Sequence, residues 1–421
     1  MPIAKTPCGL DFGTSNSTLA IATGQGPALL PLEGTHVTIP SAVFFGFDRE
    51  HAFVVGREGI AAYVDGVQGR LLRALKSILG SPLVHERTPI FRKRMAFSEI
   101  IRLYVAALKQ RAEAQVGHAL DHVVMGRPVH FVNNDAEGDR QAEESLRQIA
   151  EAVGFKHVSF QFEPVAAALD FERQVSRETL VLVADIGGGT SDFTVVRLSP
   201  QRHGATERAA DLLANGGLRL GGTNFDTALS MEAFMPLLGH RSPQRRQELE
   251  VPAAPYWDLS IWSSVHHLYE PKRMLEIKSI RQSALHPELI DRLIRIIDHR
   301  RAHSVLMQVE ETKIALSDAA SHTAAVDWIE LGLTVTATQQ AFVAATAQHF
   351  ARLKATTLAC IKDAGITPDQ IDAIYFTGGT SQIPTVRAAI AGCCPAAQQV
   401  DGDRFGSVGL GLAVEAGRRY G

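Results

Sequence analysis

Two short segments of the sequence combine an aspartate with glycines and hydroxyl side chains, which are residue types that hold phosphate groups. Their sequences are DFGTSN at 11–16 and DIGGGTSD at 185–192. Glycine lets backbone N–H groups converge on a phosphate oxygen, because no side chain blocks the approach. Threonine and serine hydroxyls add donors to the same oxygens. The segments therefore predict two phosphate-binding turns, formed by Gly13, Thr14, Ser15 and Asn16 and by Gly187, Gly188, Gly189 and Thr190.

Each of these segments begins with an aspartate, Asp11 or Asp185, at the end of a predicted strand. Two carboxylates beside a polyphosphate would repel it unless a divalent cation neutralises the site. Mg²⁺ suits this role, because it prefers oxygen ligands and commonly keeps its waters while it binds one or two carboxylates. Neither segment has the GxxxxGKS/T pattern of a P-loop or the GxGxxG pattern of a dinucleotide-binding turn. The sequence therefore predicts a magnesium site at Asp11 and Asp185.

Two further glycine-rich turns occur later in the chain. One is FTGGTSQIP at 376–384, between a predicted strand and a predicted helix, and the other is LGGTNFD at 220–226. A turn that leads into a helix presents free N–H groups, which suits the sugar and α-phosphate end of a nucleotide.

Short apolar strands alternate with longer helical segments, a pattern typical of α/β proteins. Continuous apolar runs predict strands at 9–12, 180–184 and 374–377, each of which leads into a glycine turn. Apolar residues at helical spacing predict helices at 97–114, 143–153, 304–316 and 339–364.

The first and second aspartate segments share one pattern. A strand ends at an aspartate, and an apolar residue, a glycine turn and a hydroxyl pair follow. The copies lie too far apart for a solenoid repeat and indicate duplicated domains. Two similar lobes, each with a phosphate-binding turn, suggest that one nucleotide binds between them.

The composition excludes several classes of protein. The 421-residue chain is 45% hydrophobic, and 42 Lys and Arg against 45 Asp and Glu leave a net charge of −3, so no nucleic-acid or anionic-membrane partner is expected. Four scattered cysteines predict no disulfides. Since no apolar run is long enough for a secretory signal or a transmembrane helix, we expect a cytoplasmic protein.

Two more motifs point to a family: ALKSILG at 74–80 and EPVAAA at 163–168. With the glycine turns, they resemble the ATPase domain of the DnaK-like seventy-kilodalton heat-shock proteins, in particular a YegD-like branch. These proteins belong to the actin, hexokinase and sugar-kinase superfamily, and the resemblance covers nearly the whole chain. It implies an actin-like ATPase fold, in which two duplicated ribonuclease-H-like lobes with inserted subdomains enclose a central nucleotide cleft. The lobes would span 1–180, with an insertion at about 34–108, and 181–421, with an insertion at about 225–305.

The resemblance also implies roles for single residues. Asp11 and Asp185 would bind Mg²⁺ through waters, and Lys76 and Glu163 would position and polarise the water that attacks the γ-phosphate. Asp192 would orient the second turn or bind a monovalent cation such as K⁺. The reaction would be in-line phosphoryl transfer from ATP to water. The catalytic set is then Lys76, Glu163, Asp185 and Asp192.

The resemblance places the ribose of ATP or ADP at Glu310 and Lys313. Two arginines that enclose adenine in the family are replaced here by Ile314 and Gln382, so both guanidinium faces are absent. The adenosine-binding set that the resemblance implies is Gly221, Gly222, Glu310, Lys313, Ile314, Ser317, Gly378, Gly379, Thr380, Gln382 and Asp403.

Three functions remain open on these residues. The first is a Mg-ATP-binding, slowly hydrolysing, chaperone-like protein, and because the sequence ends at Gly421 no peptide-binding domain is expected. The second is a non-catalytic, nucleotide-sensing scaffold for an unknown protein partner, which the residues Ile314 and Gln382 favour. The third is a small-molecule kinase of the same superfamily, against which Lys76 and the EPVAAA segment argue.

Overall fold

The chain divides into two compact units. A computed structural model describes residues 6–47, 50–90, 93–132, 135–202, 209–246, 249–402 and 406–421. Unit 1 comprises Met1–Gly221, Arg352–Gln382 and Val386–Gly421, and unit 2 comprises Gly222–Ala351 and Ile383–Thr385. Both aspartate segments lie in unit 1, so the predicted phosphate site belongs to a single unit. The lobe boundaries expected from the sequence stay a prediction.

The described residues form eighteen strands and thirteen α-helices. The strands are β1 (Cys8–Phe12), β2 (Asn16–Thr23), β3 (Gly26–Leu29), β4 (Thr38–Pro40), β5 (Ala42–Gly46), β6 (Val54–Val55), β7 (Gly69–Arg73), β8 (Arg87–Ile90), β9 (Lys93–Ala96), β10 (His122–Arg127), β11 (His157–Phe162), β12 (Thr179–Ile186), β13 (Ser191–Leu198), β14 (Leu212–Leu218), β15 (Ser321–Ala325), β16 (Thr334–Thr338), β17 (Ala373–Thr377) and β18 (Gln398–Asp401). The helices are α1 (Arg57–Val64), α2 (Phe97–Val116), α3 (Ala136–Ala152), α4 (Glu163–Phe171), α5 (Gly222–Leu229), α6 (Ala254–Ser260), α7 (Pro271–Ser283), α8 (Pro287–Asp298), α9 (Ala302–Ala315), α10 (Gln339–Ala345), α11 (Ala347–Asp363), α12 (Pro384–Ala391) and α13 (Ser407–Tyr420).

Unit 1 contains two sheets of the same topology. The first has the strand order β11-β10-β1-β2-β3, and a sixth strand, β4, also pairs with β2. The second has the order β18-β17-β12-β13-β14. In each sheet the central strand, β1 or β12, is parallel to one neighbour and antiparallel to the other. The first glycine turn joins β1 to β2 and the second joins β12 to β13. The internal repeat predicted from the aspartate segments is therefore present as two matching sheets.

The central strands are buried over most of their length, which explains why the sequence marks them as continuous apolar runs. Residues 181–184 of β12 are fully buried, and Leu10 and Phe12 of β1 are almost inaccessible to solvent. A strand that is covered on both faces carries apolar residues at successive positions rather than at alternate ones. The aspartates at the ends of these runs are thereby held at fixed positions by rigid elements.

Helices α4 and α13 pack with their backbones in contact. A Cβ atom on Gly411 of α13 would lie 1.8 Å from the carbonyl oxygen of Ala166 in α4. A Cβ atom on Gly9 of β1 would lie 2.4 Å from the backbone nitrogen of Ala413. Such approaches are open only to glycine. The EPVAAA segment is thus fixed by α13 to the sheet that carries Asp11.

Unit 2 is mainly helical and carries one hairpin, β15–β16. Helix α8 buries Ile290, Leu293, Ile296 and Ile297 on one face, the spacing expected of an amphipathic helix. Among the described residues of the whole chain, no helix combines the length and the apolar character that crossing a bilayer requires.

One predicted helix is wrong in its extent. The segment 339–364 forms two helices, α10 and α11, separated at Thr346. The Thr346 hydroxyl donates to the carbonyl of Phe342 at 2.6 Å, and its backbone leaves the helical region at φ −105° and ψ 8°. The backbone N–H of Thr346 still donates to the Phe342 carbonyl at 3.0 Å, so the first helix keeps its hydrogen bonds up to this residue and the break lies in the backbone angles. The apolar periodicity continues across this break, so the pattern alone did not reveal it.

Candidate functional site

The first and second glycine turns meet within unit 1. A Cβ atom on Gly188 would lie 2.3 Å from the hydroxyl oxygen of Ser15, and one on Gly189 would lie 3.1 Å from the hydroxyl oxygen of Thr14. Glycine is therefore required for the two turns to approach each other this closely. The hydroxyl and backbone groups of both predicted phosphate-binding turns are brought to one place.

Local contacts fix each of these turns. In the first, a Cβ atom on Gly13 would lie 2.1 Å from the carbonyl oxygen of Asn16, and the Ser41 hydroxyl donates to the Gly13 carbonyl at 2.7 Å. In the second, the Gly187 N–H donates to the Thr190 carbonyl at 2.9 Å and closes the turn. Both turns are hairpin connections between antiparallel strands.

The third glycine turn lies against the second. The Thr380 hydroxyl donates to the carbonyl of Gly187 at 2.8 Å. Gly378 has φ +79°, and a Cβ atom there would lie 2.6 Å from a carboxylate oxygen of Asp185. A side chain would thus face both backbone strain and a clash at this position. Gly379 begins a short 3₁₀ helix that ends at Gln382.

The fourth turn touches the second through Gly221. A Cβ atom on Gly221 would lie 2.6 Å from the carbonyl oxygen of Gly187 and 2.6 Å from the backbone nitrogen of Gly189. The hydroxyl of Ser191 donates to the carbonyl of Leu220 at 2.6 Å. Three of the predicted turns therefore surround the second one.

Lys76 and Glu163 form a buried ion pair at this site, with side chains 6% and 9% exposed. Lys76 lies on the 3₁₀ helix Leu75–Ile78, which follows β7, and Glu163 is the first residue of α4, directly after β11. An acid at the first turn of a helix is stabilised by the helix dipole. Gly126 leaves room for it, because a Cβ atom there would lie 3.1 Å from Cγ of Glu163.

Three aspartates share the electrostatic environment of this pair. Burial, followed by repulsion from Glu163, raises the pKa of Asp11 to about 8, although Lys76 acts in the opposite direction. Burial and the charges of Glu163 and Asp192 raise the pKa of Asp185 well above its ordinary value. Burial and Glu163 raise the pKa of Asp192 to about 7, against the N–H that Val129 donates to it at 2.9 Å.

The pKa of Lys76 is also raised, which for a lysine favours the charged form. Burial alone would lower the pKa of Lys76, but the negative charges of Glu163 and Asp11 outweigh burial and leave its pKa above the ordinary value. If all of these carboxyls were ionised, they would carry more negative charge than one lysine neutralises, and this repulsion adds to burial in raising the pKa values of the aspartates.

This excess of negative charge fits a divalent cation. Within the described ranges, no group of three or more His, Cys, Asp or Glu side chains is arranged to ligate a metal directly. Two carboxylates, Asp11 and Asp185, with waters completing the octahedron, match the usual coordination of Mg²⁺. The donor chemistry thus fits a water-mediated magnesium ion at these two residues.

The predicted adenosine-binding residues are divided between the two units. Gly221, Gly378, Gly379, Thr380 and Gln382 belong to unit 1, and Asp403 lies outside the described residues. The remaining five belong to unit 2 and are Gly222, Glu310, Lys313, Ile314 and Ser317.

Helix α9 carries or borders most of the unit 2 set. Lys313 lies 2.8 Å from Asp226 in an ion pair that is largely buried. Ile314, one turn from Glu310, is 58% exposed, and Ser317 follows the end of the helix. The roles of these residues in binding ribose and base stay predictions.

A model of one protein family, described as Hsp70 protein, matches residues 7–237 and 291–421, which is well over half of the chain. The chain belongs to the Hsp70 family. The family resemblance drawn from the motifs and the actin-like ATPase fold are thereby confirmed. Members of this family are chaperone-like, nucleotide-binding ATPases and generally bind ATP or ADP with Mg²⁺.

The matched regions contain every predicted site residue, whereas 238–290, in unit 2, lies outside the match. The four cysteines, Cys8, Cys360, Cys393 and Cys394, are free and buried, so the expectation of no disulfides is confirmed for the described residues.

Sequence reasoning missed three residues that contact the predicted site residues or their neighbours. They are Ser41, which bonds to the first turn, Asp226, which pairs with Lys313, and Arg219, whose guanidinium donates to the carbonyl of Ser77 beside Lys76. An arginine between two leucines before a Gly-Gly turn was the only sequence signal for Arg219.

Proposed function

We propose that this chain binds Mg-ATP and hydrolyses it slowly to ADP and phosphate, as a chaperone-like member of the Hsp70 family that acts in the cytoplasm. The observation that carries the proposal is the convergence, within unit 1, of two glycine turns on the buried Lys76–Glu163 pair and on a group of aspartates with raised pKa values.

The glycine turns would hold the triphosphate. Gly13, Thr14 and Ser15 on one side and the turn 187–190 on the other offer backbone and hydroxyl donors to the phosphate oxygens. Because both turns are rigid hairpins, these donors are in place before the nucleotide binds. Such preorganisation lowers the cost of stabilising the charge that spreads over the phosphoryl oxygens in the transition state.

Lys76 and Glu163 would act on the attacking water. The carboxylate of Glu163 holds the Lys76 ammonium in place, and the ammonium attracts the water and the phosphate oxygen together. The water forms the new P–O bond as the bond to the ADP oxygen breaks, and a proton is released with the phosphate product. Asp192, held by the Val129 N–H, would orient the second turn.

Asp11 and Asp185 would hold Mg²⁺ through its waters, and a bound Mg²⁺ supplies positive charge that offsets the repulsion between these carboxylates and the phosphates. The same two side chains lie at the ends of β1 and β12, the matched central strands of the two sheets. Their positions therefore follow from the duplicated topology.

Single-turnover hydrolysis of Mg-ATP tests this proposal. Wild type is expected to release phosphate, while Lys76→Ala and Asp185→Asn lower the rate by about a hundredfold or more. Lys156→Ala is the matched control, because Lys156 pairs with Asp121 on the surface. Since removing Lys76 leaves the Glu163 carboxylate buried without its partner, the thermal unfolding of each variant is measured alongside.

Each outcome of this experiment bears on a different function. Equal rates for wild type and Lys76→Ala would refute the proposed role of the ion pair. Tight Mg-ATP binding without phosphate release would support the non-catalytic, nucleotide-sensing scaffold instead. Turnover that requires an added sugar or acid would support a small-molecule kinase.

A further inference from the structure

Arg219 lies on a stretch of backbone that is fixed against the second glycine turn. It follows β14 directly and precedes Leu220 and Gly221. The Leu220 carbonyl accepts the hydroxyl of Ser191, and Gly221 lies against the backbone of Gly187 and Gly189. The starting point of the Arg219 side chain is therefore set by the turn that we expect to hold phosphate.

The side chain of Arg219 extends to the segment that carries Lys76. Its Nη2 donates to the carbonyl oxygen of Ser77, the residue that follows Lys76. The guanidinium is partly buried, and burial lowers the pKa of Arg219, although an arginine in a protein remains charged. One side chain thus joins the Lys76 segment to the turn beside the phosphate-binding glycines.

The Lys76 segment needs contacts from other parts of the chain to keep its conformation. It is a four-residue 3₁₀ helix, entered through Ala74 at φ +55°, a left-handed conformation that is strained for a residue other than glycine. The Ser77 N–H and hydroxyl both donate to the Ala74 carbonyl, at 3.0 and 2.7 Å. Carbonyls at the end of a helix need partners from outside it, and Arg219 supplies one.

We propose that Arg219 is a positioning residue for ATP hydrolysis, which holds the backbone of the Lys76 segment so that the ammonium stays beside Glu163 and the phosphate turns. Glu163 pairs with the ammonium of Lys76, and Arg219 bonds to the backbone of the next residue, Ser77. This proposal rests on the proposed function, in which Lys76 acts on the attacking water.

The rate of single-turnover hydrolysis and the affinity for Mg-ATP are measured for Arg219→Gln and Arg219→Lys. Arg219→Gln is expected to lower the rate by about tenfold or more while the affinity changes by less than about threefold, because Lys76 is misplaced but the glycine turns remain. Arg219→Lys keeps a cation and recovers part of the rate. Arg177→Gln, which removes a surface pair with Asp372, is the control and leaves the rate unchanged.

A double variant separates positioning from a general loss of structure. If Arg219 acts through Lys76, adding Arg219→Gln to Lys76→Ala lowers the rate no further, within about twofold. Independent effects that multiply in the double variant would overturn the proposal, as would an unchanged rate in Arg219→Gln.

Hydrogen exchange tests the hold of Arg219 on the Lys76 segment independently of hydrolysis. Absence of phosphate release by wild type would refute the proposed function, and with it the catalytic purpose of this hold, but not the hold itself. In the nucleotide-free chain, Arg219→Gln is expected to speed amide exchange in residues 75–81 by about fivefold or more, whereas Arg177→Gln leaves it unchanged. Unchanged exchange in this segment of Arg219→Gln would overturn the proposal.

Discussion

Lys76 lies among four carboxylates, and this arrangement dominates the chemistry of the site. Glu163 pairs with it directly, and Asp11, Asp185 and Asp192 contribute to the electrostatic environment through their charges. Removing one partner of a buried ion pair is costly, because it leaves the other charge without compensation. The site is therefore poised to gain from a cation such as Mg²⁺, which would favour the ionised form of each aspartate.

Asp192 gives the nucleotide-free chain a measurable pH dependence. Its pKa is about 7 in the folded chain and 3.8 ordinarily, so between about pH 4 and pH 7 the folded state binds a proton that the unfolded state has lost. The contribution of Asp192 to the free energy of unfolding therefore falls as the pH rises through this range and levels off above it. We expect Asp192→Asn to remove this contribution and so to reduce the slope in urea denaturation between pH 5 and pH 8, while Asp11 and Asp185, whose pKa values are also raised, keep the remainder.

The control for this measurement is Asp291→Asn. The hydrogen bond from Arg281 lowers the pKa of Asp291, so its contribution is confined to more acidic conditions. This variant is expected to keep the wild-type slope between pH 5 and pH 8. An Asp192→Asn variant with the wild-type slope would contradict the raised pKa.

At the scale of elements, the second and fourth glycine turns lie against each other through their backbones at Gly221. We expect Gly221→Ala to weaken Mg-ATP binding by about tenfold or more, since the added Cβ meets rigid backbone at 2.6 Å and displaces the second turn. Gly216→Ala is the matched control, because its Cβ would find its closest atom, in Cys360, at 3.8 Å. Calorimetric titration of both variants checks this, and equal affinities would show that the second turn tolerates displacement.

A second prediction concerns the stability of the packing between α13 and α4. Glycine to alanine in a helix ordinarily stabilises it by about 1 kcal/mol. At Gly411 the sign is expected to reverse, with a loss of about 1–3 kcal/mol, because the Cβ would lie 1.8 Å from the Ala166 carbonyl oxygen. In Gly417→Ala, on the same helix, the Cβ would meet only the Ala22 Cβ at 3.1 Å. Urea denaturation compares the two variants, and an equally stable Gly411→Ala would contradict the close packing.

Strands and helices could be predicted from the sequence where the hydrophobic pattern of a segment matches the burial of its residues. The runs at 9–12, 180–184 and 374–377 are strands because they are covered on both faces, and the helix expected at 97–114 is α2. The helix expected at 339–364 is interrupted at Thr346, where the backbone leaves the helical angles although the hydrophobic period continues.

Contacts between distant segments were predictable only through the repeated motif. The approach of Gly188 to Ser15 follows from two copies of one pattern, so the sequence alone was enough to expect that these turns meet. The bond from Arg219 to Ser77 and the pair of Lys313 with Asp226 depend on how separate segments fold against each other. No spacing in the sequence encodes such pairs.

On the scale of the whole molecule, two sheets with the same order of five strands carry the predicted phosphate-binding turns, and a second unit carries a further set of predicted nucleotide contacts. In that unit Ile314, which the resemblance to the family places at the position of an arginine, is exposed. An aliphatic side chain offers neither the planar face nor the charge of a guanidinium to a purine base. Most of the binding free energy should then come from the phosphates rather than from the base.

The base preference follows from this arrangement. We expect GTP to bind within about tenfold of ATP, and Ile314→Arg to raise the affinity for ATP severalfold by restoring a cation–π surface. Leu331→Arg, which adds the same charge at a residue that is 93% exposed, is the control and leaves the affinity unchanged. A preference for ATP over GTP of more than about a hundredfold in wild type would contradict this expectation.

The most direct test is calorimetric titration of the chain with ATP, with and without Mg²⁺, for wild type and Asp185→Asn. We predict that ATP binds wild type tightly only when Mg²⁺ is present, and that Asp185→Asn loses most of this Mg²⁺ dependence while it remains folded. No binding of ATP by wild type in the presence of Mg²⁺, or the same Mg²⁺ dependence in both proteins, would contradict a magnesium–nucleotide site at the paired glycine turns.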